Sequence, residues 1–144
     1  MTKISNTDAY PYDTNITGDE YLVGTEPAGS PQNQTKSFKL SEVKDYILGY
    51  SPYVATLTQS GTNAPVPTVM VNGVGDITTQ RNSSGDYSVL SEGLFVDGKT
   101  VVFIGDTNEG ASTYYSIISE DEIRINTLLD DVMNKMSIEI RVYN

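Results

Sequence analysis

From Tyr53 to Phe95 the chain reads YVATLTQSGTNAPVPTVMVNGVGDITTQRNSSGDYSVLSEGLF, in which short apolar segments alternate with clusters of turn-forming residues. Residues 53–59, 66–72, 77–81 and 86–90 are rich in β-branched and aromatic side chains, which suit a pleated, half-buried backbone. Between them lie Ser-Gly-Thr-Asn, Asn-Gly-Val-Gly and Asn-Ser-Ser-Gly-Asp. Gly supplies positive φ in such clusters, and Asn, Asp and Ser bond their own backbone. A chain punctuated this way folds as antiparallel strands. Far downstream, SIEIRVY at residues 137–143 alternates strictly. The pattern predicts that Ile138, Ile140 and Val142 face a core while Glu139, Arg141 and Tyr143 face outward. Such a strand needs a partner, which the alternation itself does not name; residues 54–59 are one candidate, because pairing of first and last strands closes many sandwiches.

KTVVFIG at residues 99–105 has four consecutive apolar residues, the pattern of a strand covered on both faces. Residues 114–119 and 122–126 form a further hairpin candidate, with Ser119, Glu120 and Asp121 at its turn. Leu128, Leu129, Val132, Met133 and Met136 fall at helical spacing behind a possible Thr127 cap. DDVMNKM is equally readable as an irregular crossing.

Upstream the text differs. Residues 1–16 are polar, contain Pro11 and show little periodicity, the composition of an extended leader that orders on a partner. Residues 21–25 and 35–40 are short strand candidates joined by EPAGSPQNQ. Ser41 stands where an N-cap belongs, ahead of a short helix whose Val43, Tyr46, Ile47 and Tyr50 share one face and which Gly49 stops. So short a helix cannot stand alone in water, so this region must pack on something. Gly49-Tyr50-Ser51-Pro52 is the best domain boundary, since Gly breaks the helix and Pro52 pushes Ser51 to an extended conformation.

The chain's 144 residues suffice for one domain plus a small appendage. Nineteen acidic against nine basic residues leave a net charge of −10, which repels phosphate backbones and anionic lipid, so neither nucleic acid nor a membrane is an expected partner. There is no Cys, which excludes disulfide and thiolate–metal frameworks, and no His, which removes the commonest general base and zinc ligand. No secretory signal is expected, and no apolar run approaches the roughly 18 residues of a membrane span. Hydrophobic content is only 38%, a balance suited to thin, turn-rich β structure or to a protein that completes its core with another copy.

Acidic clusters are the remaining candidates for chemistry. Asp106, Asn108 and Glu109 begin like a calcium loop, but Gly110 falls at the fifth position and no Glu occupies the twelfth. A solvated loop is the better reading. Glu120, Asp121 and Glu122, and the pair Asp130 and Asp131, lie adjacent in sequence, and neighbouring residues on a strand point to opposite faces, whereas glycoside hydrolysis needs two carboxyls facing one cleft. No catalytic, cofactor-binding or metal residue is therefore assigned. Of the ten tyrosines, half are expected to close the core, with Tyr114 and Tyr115 presenting one ring to each side of a strand. The tripeptides beginning at Asn15, Asn33 and Asn82 match a glycosylation pattern by chance in an Asn- and Thr-rich chain.

The ordered segments LTQSGTNAPVPTVMVNGVGDI, GDYSV, GLF-x-x-GKTVVFIG and SIEIRVYN resemble a β module of virion proteins of tailed bacteriophages, over roughly residues 53–144. A second region, E-Y-L-V-G-T, a polar loop, then T-K-S-F-K-L-S-E-V-K-D-Y-I, resembles the N-terminal region of phage fibre proteins. The resemblance implies a structural protein of the virion, made in the host cytoplasm: a head fibre or capsid decoration protein, not an enzyme, and without a cofactor. It would be a homotrimer bound to other virion proteins through its N-terminal region. A carbohydrate-binding or host-adhesion module of a tail or collar fibre is the alternative, and host-surface glycans its expected ligand. With the patterns above, the expected fold is mainly β: an antiparallel β-sandwich, jelly-roll-like, over residues 53–144, preceded by a hairpin and short helix within residues 1–50.

Overall fold

A computed structural model of the chain describes residues 17–28, 32, 34–105, 112–127, 129–130 and 133–143. The chain is mainly β, and it divides into two compact units, Met1–Leu48 and Gly49–Asn144.

In the first unit, β1 (Tyr21–Glu26) and β2 (Gln34–Lys39) pair antiparallel from Tyr21↔Lys39 to Glu26↔Gln34. Helix α1 (Leu40–Leu48) follows β2 directly. Ser41 therefore lies inside the first helical turn and is not the N-cap expected of it. The orphan N–H groups at this end find backbone oxygens instead: Leu40 N donates to Glu20 O (2.8 Å) and Ser41 N to Gly18 O (3.1 Å). Gly49 ends the helix at φ +69°, the left-handed conformation that glycine adopts without a Cβ clash.

The second unit contains two four-stranded antiparallel sheets. One has the order β4-β3-β10-β7, from β3 (Tyr50–Thr58), β4 (Val66–Asn72), β7 (Thr100–Gly105) and β10 (Asn134–Tyr143). The other is β5-β6-β9-β8, from β5 (Thr78–Ser83), β6 (Asp86–Leu90), β8 (Tyr114–Ser119) and β9 (Glu122–Asn126). β10 lies beside β3, the candidate partner, with Ile138 opposite Ala55 and Ile140 opposite Tyr53. Its other flank carries β7, where Ile140 meets Val102.

The core is one cluster built from both sheets. Tyr53, Ala55, Leu57, Val102, Met136, Ile138 and Ile140 come from the first, and Tyr87, Val89, Ile123 and Ile125 from the second, with Phe95 and Met133 added from connections. Ile138 and Ile140 are fully buried, Val142 partly so, and Glu139 and Arg141 lie on the opposite face.

Several expectations need correction. The second unit begins before residue 53, because Tyr50 and Ser51 already pair with Tyr143 and Val142. The segment KTVVFIG is not covered on both faces of the chain: β7 is an edge strand that buries Thr100 and Val102 and leaves Val101 and Phe103 38% and 48% exposed. Among the described residues between Thr127 and β10 there is no helix. Met133 and Met136 enter the core while Leu129 stays exposed, which one helical face could not achieve. Thr127 instead turns its hydroxyl to Leu129 O (2.7 Å), and Lys135 at φ +57° accompanies a bulge where β10 begins. Of the eight described tyrosines, only Tyr53 and Tyr87 are buried, and both Tyr114 and Tyr115 are exposed.

Candidate interaction surfaces

The acidic residues singled out in the sequence are spread among unrelated tasks. Asp106, Asn108, Glu109, Gly110, Asp131, Asn15 and Asn33 lie outside the described residues. Glu120 and Asp121 occupy the β8–β9 turn, where Phe95 N donates to Glu120 O (2.7 Å) and Gly93 N to Asp121 Oδ1 (2.6 Å). Glu122 stands on the outward face of β9 and accepts from Ser88 Oγ (2.7 Å) and Arg124 Nη2 (2.8 Å). These contacts, the serine hydroxyl foremost, hold its carboxyl below the usual range. Among the described residues no group of three or more His, Cys, Asp or Glu is placed to hold a metal, and no helix is long and apolar enough to cross a membrane.

Asp130 has the densest set of partners. Arg81 grips it with Nε (3.1 Å) and Nη2 (2.7 Å), Tyr87 Oη donates at 2.6 Å and Gly85 N at 3.2 Å. The Arg81 guanidinium, then the Tyr87 hydroxyl, hold the carboxyl far below the ordinary carboxylate range. Burial, then the hydrogen bond to Asp130, pushes the Tyr87 phenol up. The cluster ties the β5–β6 hairpin to the segment that leads into β10, so it is a structural clamp. A depressed folded pKa contributes stability above the unfolded value of about 4, and that contribution is lost as pH falls through the folded pKa. Asp130→Asn will therefore melt lower than wild type near pH 7, and the gap will shrink as pH falls below about 4. Thermal melts across that range check this, and a gap independent of pH would contradict it.

The outward faces of the two sheets differ in chemistry. On the second, Asn82 Nδ2 donates to Ser88 Oγ (2.7 Å), Ser88 to Glu122, and Arg124 reaches Glu122 and Asp86 (3.6 Å). The middle of that surface is polar and internally satisfied, and the exposed Tyr114 ring lies at its β8 edge, in the row of Asn126 and Asp86. On the first, the sole charged pair is Arg141 and Glu139, joined at 2.6 Å. The Arg141 guanidinium lies over the Tyr50 ring at 5.0 Å and over the Phe103 ring at 4.7 Å, and Tyr50 packs against Tyr143 at 5.3 Å. Val54, Val71 and Val101 extend the same face in the ladder register.

The N-terminal unit is a third surface. None of its described residues is buried, and on α1 Tyr46 and Ile47 are 86% and 74% exposed. Phe38, Glu42, Val43 and Tyr46 line an open, largely apolar cleft of about 320 Å³. Polar contacts gather at the start of the unit's described residues. The Glu20 carboxylate accepts from Thr17 N (2.9 Å), Thr17 Oγ1 (2.9 Å) and Gly18 N (2.7 Å). These bonds, the Thr17 amide first, lower its pKa to about 2.

Comparison with known proteins gives no matching family model, no matching curated protein and no matching solved structure. The Arg81–Asp130 clamp and the Arg141 stack are absent from the reading of the sequence. A signal for each exists. Arg81 sits at an inward position of its strand, opposite Tyr87, and an inward guanidinium requires a carboxylate. Arg141 has Phe103 in the neighbouring register row, a pairing visible only once β7 is placed.

Proposed function

We propose that the chain is a structural protein of a tailed-phage virion, a head fibre or capsid decoration protein. The N-terminal unit attaches it to the particle, and the second unit, its two sheets packed as a β-sandwich, is displayed outward. One observation carries this reading: a unit with no buried residue among those described, whose helix and hairpin expose Leu22, Val23, Tyr46 and Ile47, adjoins in sequence a module with thirteen buried apolar side chains among its described residues. Such division suits a chain of which one part folds on itself and the other on a larger surface. Within the module, β3–β4, β5–β6 and β8–β9 are hairpins inside one sheet, a simpler order than the interleaved Greek keys of a jelly roll. The sandwich is therefore proposed without that likeness.

The assembly is a homotrimer. Sedimentation at micromolar concentration should give one species of about three times 15.7 kDa. A species of 15.7 kDa alone contradicts it. The second reading, a sugar-binding adhesion module, is favoured by the exposed rings of Phe103 and Tyr143. Against it, the Arg141 guanidinium already covers Tyr50 and Phe103, the rings a sugar would stack on. A glycan array returning selective binding would reverse this ranking.

A further inference from the structure

Resting on the oligomeric part of that reading, we infer that copies of the chain join through the two free edges of one sheet, β4 of one copy against β7 of the next. The β4-β3-β10-β7 sheet then runs on from subunit to subunit.

The edges themselves invite pairing. Both β4 and β7 end their sheet, and neither VPTVMVN nor TVVFIG contains a charged residue. Val66, Val69, Met70 and Val71 are exposed on one, Val101 and Phe103 on the other. Free edges are normally guarded by charge, by Pro or by shortness, because their unpaired N–H and C=O groups template another strand. The guards in β4 are Pro67 and the irregularity opposite Val54 and Ala55, where Met70 drops out of the register; β7 has neither.

Strand direction selects the kind of contact. β3 is antiparallel to β4 and to β10, and β10 is antiparallel to β7. With four alternating strands the two edges run in opposite directions. A copy rotated about an axis along the strands therefore presents its β7 antiparallel to β4. A two-fold β4–β4 contact would cover one edge and leave Val101 and Phe103 bare. The head-to-tail contact covers both, and it closes into a ring where the rotation allows.

Charge selects the occupant. Copies that each carry −10 repel, so they meet at least cost where neither has net charge. Both edges are uncharged, and on the face between them Glu139 and Arg141 neutralise each other. A second copy offers the matching uncharged edge at each side.

Val71 and Phe103 end one row across the sheet, Val71–Val54–Glu139–Phe103, and the chain has no cysteine of its own. Full-length Val71→Cys and Phe103→Cys are prepared separately, then unfolded and refolded together and treated with a short bismaleimide. Cross-linked dimers are expected in the mixture at several-fold the level of either variant alone. A chain carrying both substitutions should give a ladder that stops at the ring number. Equal cross-linking of Val71→Cys alone would overturn the head-to-tail contact in favour of a two-fold one. As a second arm, Val71→Lys/Phe103→Lys should sediment as a monomer that still unfolds in one cooperative transition, at a lower midpoint because the oligomer no longer stabilises the fold. If that variant stays oligomeric, the edges are the wrong surface although the oligomer stands. If the wild-type chain is itself monomeric, the oligomer reading fails with it.

Discussion

Ile140→Asp will abolish the cooperative unfolding transition of the β module, whereas Glu139→Lys, one residue away, will leave it nearly in place. Ile140 is fully buried between Tyr53 on β3 and Val102 on β7. A carboxylate there has no cation among its register neighbours. Burying it unpaired costs several kcal/mol, comparable with the roughly 5–15 kcal/mol that holds a domain of this size together. Glu139 faces outward and loses only its half-exposed pair with Arg141. Exchange at such a position ordinarily changes stability by under about 1 kcal/mol. Thermal melts followed by far-UV circular dichroism separate the cases. Equal damage from the two would mean that the β10 faces are assigned wrongly.

The second large effect is expected from cutting the chain at its unit boundary. The fragment Gly49–Asn144 retains every member of the buried cluster and both partners of the β3–β10 ladder. It should unfold in a single transition close to that of the whole chain. Met1–Leu48 contains no buried residue among those described, and a nine-residue helix on a two-stranded hairpin is marginal in water. It should show no cooperative melt and poor amide dispersion in a proton–nitrogen correlation spectrum. On the virion reading, the folded fragment also fails to join particles that the full chain decorates. A cooperative melt from Met1–Leu48 alone would remove the ground for assigning it to a partner surface.

How far the fold was legible varied with the range of the interactions that decide it. β4 and β6 occupy the limits their β-branched residues and flanking turns predict, because the turn clusters on either side fix where each strand starts and stops. The inward face of β10 was legible from its alternation, but its partners were not: residues 54–59 were a candidate only because first and last strands often pair, and β7 on the other flank was not foreseen. The segment from Thr127 to Met136 was not legible. Its apolar spacing fits a helix, but its path follows from Arg81, 49 residues away, holding Asp130 and from Gln59 N donating to Met133 O (2.9 Å). Nothing in that segment announces either partner. The outward face was half legible: Arg141 was read as outward, but its stack depends on β3 and β7 both lying beside it, with Tyr50 and Phe103 on the same side.

The central place of β10 sets the order of events during synthesis. β3 and β7 lie 42 residues apart from Thr58 to Thr100 and never touch as ladder partners; each pairs with the strand that begins at Asn134. On a growing chain the β3–β4, β5–β6 and β8–β9 hairpins can form early, but the first sheet cannot close until Tyr143 has left the ribosome. Until then the inner apolar residues of β3 and β7 face solvent or chaperone. Ladders of such long sequence separation form slowly, in roughly milliseconds to seconds. The nascent module therefore passes through a stage with open strand edges and an unfinished core, the stage at which β chains are most prone to pair with the wrong neighbour.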